Sequence, residues 1–327
     1  MIKLFTHNDL DGLGCALLAQ LAYGKDAIDF ETCRHEDINE KVSLYFSEKA
    51  YENFSYCYVT DIAVHEEVAA QINRQFDSPS QYISIIDHHI STTSLNIYDW
   101  CQVTVANEQG LKYCGTSLFY QKLLSLDVPF KEKLLSPLVV SFVEKIRRYD
   151  VWDWQALNDL EAKQLDDLLS ILGKERFMAY WISRLEEDQG PFSFDETQTL
   201  LLELRQNEIN QYIESRNEEI IVKEVAGYQA GIVFANRYQS ELGNQLALLH
   251  PELDFIAMIN VGGGVSCRCV KENVNLAELA ASFGGGGHVK AAGFRIGDEI
   301  REMVIRSVFK LDPHEKESFS SDFNCNL

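Results

Sequence analysis

This 327-residue chain is poor in positive charge: 29 Lys and Arg face 50 Asp and Glu, for a net charge of −21 at pH 7. Gripping long DNA or RNA by its phosphates needs basic surface and counterion release, so the composition argues against that mode, duplexes above all. A small anionic substrate stays open, because bound divalent ions and a few local Arg, Lys or His groups reverse the field inside a cleft. The chain also lacks any apolar run near the roughly 18 residues that cross a bilayer, so no membrane partner is expected. Met-Ile-Lys-Leu-Phe leads directly into the first polar motif, leaving no room for a signal peptide, and the expected location is cytoplasmic. The eight cysteines (15, 33, 57, 101, 114, 267, 269 and 325) form no CxxC pair and no framework spacing. They read as small buried hydrophobes in a reducing compartment rather than as zinc ligands or disulfides. Cys267 and Cys269 stand two apart on a predicted strand, and strand packing is their expected role. Internal repeats are also missing.

The length suits two domains, and a hydrophobic content of 46% is ordinary for a globular chain. Three apolar runs end in similar chemistry. Residues 1–5 lead into His7-Asn8-Asp9-Leu10-Asp11-Gly12, residues 56–59 into Thr60-Asp61, and residues 82–86 into Asp87-His88-His89. Runs of this kind read as buried parallel strands. Ligands gather beyond the carboxyl ends of such strands in an open α/β sheet, so carboxylates and imidazoles are expected on one rim.

Helices are predicted over residues 12–23, 65–76, 118–126, 133–149 and 159–184. Gly115-Thr116-Ser117 at a helix start is a capping signal and, secondarily, an anion site. Residues 197–225 read as one long charged helix connecting the domains. Beyond residue 228 the pattern changes to strands at 229–235 and 255–261, a Gly262-Gly263-Gly264 hairpin into 265–270, a helix at 276–283 and a glycine loop at 284–287. The tail at 313–327 is polar and expected to be loose.

His7, Asp9 and Asp11 alternate through a strand end and its exit turn, so they can converge on one ion; capping of the next helix is the competing explanation. Asp61 by itself is better explained as a helix cap, and gains weight from its place at a second strand end. Asp87-His88-His89 is the sharpest signal, since one ring can bind a metal while its neighbour meets a phosphate. Asp87 is then expected to accept the ligand histidine's other N–H and fix its tautomer. Hard oxygen donors mixed with imidazole suit Mn²⁺, Mg²⁺ or Fe²⁺, and several carboxylates together suit a pair of ions, as in a two-metal phosphoester hydrolase.

The set His7, Asp9, Asp11, Asp61, Asp87-His88-His89 and Asp150 resembles the DHH phosphoesterase superfamily. The segment GGGGHVKAAGF at residues 284–294 resembles the DHHA1 domain that follows in one branch. HNDLDGLGCALLAQLAYGKD (7–26), SELGNQLA (240–247) and FGGGGHVKAAG (283–293) resemble the nanoRNase B type of oligoribonuclease, over residues 1 to about 312.

The resemblance implies an α/β protein with an N-terminal parallel-sheet DHH domain (1–165), a helical linker (166–226) and a smaller C-terminal α/β DHHA1 domain (227–312), with the catalytic cleft between domains. It implies two divalent cations, Mn²⁺ ahead of Mg²⁺. His7, Asp9 and Asp61 would hold the first, and Asp11, Asp61, His88 and Asp150 the second; Asp153 is the alternative to Asp150. His89, with Asp61 and Asp87 in the catalytic set, would touch the phosphate and protonate the leaving oxygen. Arg268, Gly285, Gly286, Gly287 and His288 would bind substrate. An aliphatic residue is usual where Cys267 stands.

The activity implied is hydrolysis of short single-stranded RNA to 5′-mononucleotides. Phosphodiesterase or phosphatase action on cyclic or linear dinucleotides or pAp is the alternative, and a non-catalytic nucleotide sensor is the rival from another class. A homodimer is compatible with the sequence.

Overall fold

The computed structural model of the chain describes residues 1–187 and 190–311. The tail at 313–327, with Cys325, lies outside the described residues. The chain divides into a first unit, Met1–Leu202, and a second that begins at Glu203.

The first unit alternates strand and helix: β1 (Ile2–His7), α1 (Leu10–Tyr23), β2 (Ile28–Cys33), α2 (Ile38–Ser47), β3 (Tyr56–Thr60), α3 (Glu66–Gln75), β4 (Ile83–Asp87) and β5 (Cys101–Val103). These strands form one sheet in the order β2-β1-β3-β4-β5, and every pairing is parallel. The chain runs outward from β1 to β2 and then returns past β1 to β3. Strand order therefore reverses between β1 and β3, the place where open α/β sheets hold ligands.

One face of the sheet packs on α1 and on the helices that follow. These are α4 (Gly115–Ser125), α5 (Lys131–Leu134), α6 (Pro137–Asp150), α7 (Asp153–Ala156), α8 (Leu160–Leu172) and α9 (Lys174–Glu187), and the shared core includes Leu4, Leu17, Phe119, Phe142 and Trp181. The other face packs on α2 and α3 through Phe5, Val42, Val59, Ile72 and Ile85. Apolar cover on both faces explains why β4 is buried at every position. Helix α1 is buried from Leu10 to Ala22, which its small and aliphatic residues permit on all sides.

Helix α10 (Glu196–Glu218) spans the division between the units. Leu202 packs in the first core, whereas Ile209 and Ile213 pack in the second. The expected single helix over 197–225 is corrected at its end: residues 221–225 form β6 (Ile221–Val225), which pairs antiparallel with β7 (Tyr228–Phe234). Ala226 and Gly227 take φ of 52° and 83°, the two left-handed positions of a tight hairpin, and Ile221, Val222 and Val225 favour the strand.

The remaining elements are α11 (Gln239–Leu249), β8 (Phe255–Asn260), β9 (Gly264–Arg268), α12 (Leu276–Ser282), β10 (Gly286–His288), β11 (Ala291–Arg295) and α13 (Asp298–Phe309). The second sheet has the order β10-β11-β9-β8-β7-β6, with only β7 and β8 parallel. Cys267 and Cys269 both lie in its core beside Leu276 and Ala292, as packing residues do. Gly286 and Gly287, expected in the glycine loop at 284–287, form with His288 the edge strand β10. Among the described residues, no helix is long and apolar enough to cross a membrane.

Candidate metal and phosphoester site

His7 is the last residue of β1, and Asp9 is the N-cap of α1. One Asp9 oxygen accepts the Gly12 N–H at 3.0 Å, while the other lies 2.6 Å from His7 Nδ1. A Cβ at residue 12 would sit 2.1 Å from the His7 carbonyl oxygen, so only glycine lets α1 start this close to the strand it leaves.

Asp11, in the first turn of α1, is buried, and its two oxygens accept the Gly115 and Thr116 N–H groups at 2.6 and 2.7 Å. The helix start at Gly115 does bind an anion, but the anion is the chain's own carboxylate. Thr6 and Thr60, both buried, share a 2.8 Å hydroxyl bond that ties the ends of β1 and β3 together.

Asp61 follows β3 in the left-handed region, at φ 59°, which Asp tolerates better than most residues. It is 1% exposed, and its two oxygens face different partners. Oδ1 lies 3.1 Å from His88 Nε2, and Oδ2 lies 3.7 Å from His7 Nδ1. A Cβ on Gly115 would stand 2.4 Å from Asp61 Cβ, so α4 approaches only because residue 115 has no side chain. His88 Nε2 is also 3.7 Å from both Asp11 Oδ2 and Asp150 Oδ2, and Asp150 ends α6.

The donor atoms thus fall into two sets that Asp61 touches from opposite sides. Those of His7, Asp9 and Asp61 lie within 4.8 Å of one another, as do those of Asp11, His88 and Asp150. A third such group joins Asp61 and His88 to Asp87 and His89. Asp153 is engaged elsewhere, in a 2.8 Å ion pair with the buried Arg147.

Two observations fit this donor set to metal. Asp61 Oδ2 is buried and has no hydrogen-bond partner among the described residues, although His7 Nδ1 lies 3.7 Å away. Moreover, the carboxylates disfavour one another's charge. Burial first, then the charges of Asp11 and Asp9, push the Asp61 carboxyl well above its ordinary range. The same causes push Asp150 up to about 8. Desolvation pulls Asp9 upward too, but the hydrogen bond and charge of His7, with the Gly12 N–H, outweigh it and hold Asp9 at about 2. Burial lowers His88, against the pull of Asp11. The neutral His88 imidazole so favoured and the crowded carboxylates are what a divalent cation stabilises.

The expected role of Asp87 needs correction. Its Oδ1 lies 2.8 Å from His89 Nδ1, not against the His88 ring, and also accepts the His88 backbone N–H at 2.8 Å. Oδ2 accepts the Thr92 hydroxyl at 2.6 Å. Strand β4 ends so that residues 87 and 89 meet on one side while residue 88 turns to the carboxylates. Asp87 is fully buried, and burial alone would raise its carboxyl; the bonds from His89, Thr92 and His88 overcome that and lower it. In return the hydrogen bond to Asp87 raises the pKa of His89.

Sequence reasoning missed His35 and Thr92. His35 follows β2 at the same sheet rim, its ring centroid 5.2 Å from His7 and 6.1 Å from His89. Its place just past a strand end was the available signal.

In the second unit, Arg268 closes β9, half-buried, with Nη1 donating to the Cys267 carbonyl at 2.9 Å and Nη2 to Ser240 Oγ at 3.1 Å. Register pairs His288 with Ala291 and Ala291 with Arg268, so Arg268 and His288 lie two strands apart on one sheet face. Gly285 packs against the Gly293 carbonyl, where a Cβ would come to 2.1 Å, and Gly287 has φ 138°. Gly286 has open space around it. Gly285 also lines a cavity of about 540 Å³ with Gln239, Ser266 and Arg295.

The family profile described as "DHHA1 domain" matches residues 217–310. The chain is 35% identical to oligoribonuclease NrnB of Bacillus subtilis (strain 168), over 99% of its own length and 80% of that protein's. It is 23% identical to a 3′,5′-cyclic-nucleotide phosphodiesterase of Helicobacter pylori (strain 26695), over 91% of its length and 93% of that relative's. Among solved structures, a pGpG-specific phosphodiesterase of Vibrio cholerae aligns with 95% of this chain and 98% of its own, at 15% identity and a TM-score of 0.49.

Proposed function

Because this chain belongs to the DHH/DHHA1 phosphoesterase superfamily, among its nanoRNase-type members, we propose that it is a metal-dependent hydrolase of short RNA oligonucleotides that releases 5′-mononucleotides. The observation that carries this reading is the pair of donor sets, one containing Asp61 and the other meeting it at His88, beside a histidine held by a buried carboxylate. In it, His7, Asp9 and Asp61 hold one divalent cation, and Asp11, Asp61, His88 and Asp150 the other, with Mn²⁺ preferred to Mg²⁺. Ions bound there supply activated water and relief of phosphoryl charge.

The chain's own groups supply the rest. Gly115 and Thr116 aim Asp11 through its two oxygens, which leaves it little freedom to turn. Asp87 fixes the ring of His89 by Nδ1 and favours its protonated form. The free Nε2 side of that ring is assigned to the substrate phosphate, where it gives a proton to the departing sugar oxygen. Arg268 and His288, on one face of the second sheet, are assigned to substrate phosphate and sugar, and the backbone of Gly285, Gly286 and Gly287 to its terminal nucleotide. A pure sensor has no need for a set of six acidic and imidazole ligands, which disfavours that rival.

The test is a Mn²⁺-dependent product time course on a labelled RNA pentamer, beside pApA, cyclic di-AMP and pAp. Stepwise shortening to mononucleotides, lost with chelator, is the expected result. An inert pentamer with rapid cleavage of one small nucleotide would replace this reading with a dinucleotide or pAp activity.

A further inference from the structure

Trp152 stands two residues beyond Asp150, in an unusual place for the largest side chain. Helix α6 ends at Asp150, Val151 caps it, and Trp152 takes the next position in the left-handed conformation at φ 66°. Glycine is the ordinary occupant of that position, because a side chain there is strained. Packing does not explain the exception. Trp100 and Trp181 are buried and Trp154 is partly covered, whereas Trp152 is 59% exposed.

The turn is also held firmly. The Trp152 N–H donates to the Tyr149 carbonyl at 3.2 Å. On the other side, Asp153 is locked to Arg147, whose guanidinium also grips Glu144 through Nε and Nη2 at 2.8 Å each. Trp154 stands beside it, ring centroids 6.2 Å apart. A turn held on both sides thus exposes an indole to solvent two residues beyond Asp150 of the His88 set.

We propose that Trp152 is a stacking platform for the nucleobase of the nucleotide whose phosphate sits among the metal-binding residues. The proposal rests on the functional reading above and deepens it, since it assigns the substrate's base as well as its phosphate. Stacking is tolerant of base identity because every base has a π-face, which suits an enzyme that must accept oligonucleotides of any sequence.

The experiment compares wild type, Trp152→Ala and Trp152→Phe, each loaded with Mn²⁺. Calorimetry measures the binding of 5′-AMP and of ribose 5-phosphate, which carries the same sugar phosphate without a base. Trp152→Ala should weaken 5′-AMP roughly 5- to 150-fold and leave ribose 5-phosphate unchanged. Trp152→Phe, which keeps an aromatic face, should restore most of the loss. Equal effects on both ligands in the alanine variant, or no effect on either, would overturn the proposal. Neither arm needs RNA turnover, so a wild-type chain that binds 5′-AMP through Trp152 yet cuts no RNA would sink the functional reading alone.

Discussion

Asp11, Asp61 and Asp87 are each no more than 2% exposed, whereas in the second unit Arg268 is half-buried and residues 285–288 are exposed. The first unit crowds like charges beneath a sheet rim, where burial and mutual repulsion raise the pKa of Asp61 and Asp150. The second offers the Arg268 guanidinium, the His288 imidazole and a glycine backbone on its sheet. The two groups of residues therefore fail differently. Under the proposed function, damage to the first should remove the reaction and change the pH dependence of stability. Damage to the second should weaken the hold on substrate and leave the folded chain alone.

The largest effect expected is from Asp61→Ala, since Asp61 turns one oxygen toward His7 and the other toward His88. The rate constant for RNA cleavage should fall on the order of 10²–10³-fold or more, with the circular dichroism spectrum unchanged. Retained turnover would break the comparison at its centre. Gly115→Ala comes next. Its Cβ would meet Asp61 Cβ at 2.4 Å, so it should lower stability by about 1–3 kcal/mol and kcat on the order of 10²-fold. Thermal melts beside steady-state kinetics check both.

Chelation should then expose the repulsion itself. Folded Asp61 and Asp150 keep their protons to higher pH than the unfolded chain does, Asp150 to about 8. Between about pH 4 and 8 the folded state therefore binds more protons, and its stability declines as pH rises. The opposite shifts of His88 and His89 oppose each other in that window. In EDTA the thermal midpoint should drop from pH 5 to pH 8, and Mn²⁺ should remove most of the drop. A flat profile in EDTA would show that the carboxylates do not strain the fold.

The smallest effect is expected from Arg268→Ala. It should raise KM roughly 10- to 100-fold with kcat nearly unchanged, and Arg268→Lys should not rescue it, because the fork that reaches the Cys267 carbonyl and Ser240 is lost. A fall in kcat equal to the rise in KM would blur the distinction between the units.

Much of the first unit is legible in the amino-acid sequence. The runs into His7, Asp61 and Asp87 mark buried parallel strands by composition, and chemistry at each strand end follows from the way such sheets bind ligands. The turn from α10 to β6 is not legible in the same way, because charged residues at 218–219 and 223–224 carry the helical pattern past the point where Ala226 and Gly227 close a hairpin. The role of Asp87 is likewise hidden. Adjacent histidines offer two rings to one carboxylate, and only the backbone path after β4 decides which ring it reaches.

Residue order alone is enough to establish the donor types and their place at strand ends, because periodicity and residue chemistry are local properties, and the resemblance of the glycine segment to a DHHA1 domain assigns it to the second domain. Packing in three dimensions was needed to make Asp61 present one oxygen to each donor set, to fill the start of α4 with Asp11, to bring His35 to the rim and to hold Trp152 outward. Those facts depend on distances between residues up to 105 positions apart, such as Asp11 and Thr116, and distance across the chain is set by packing.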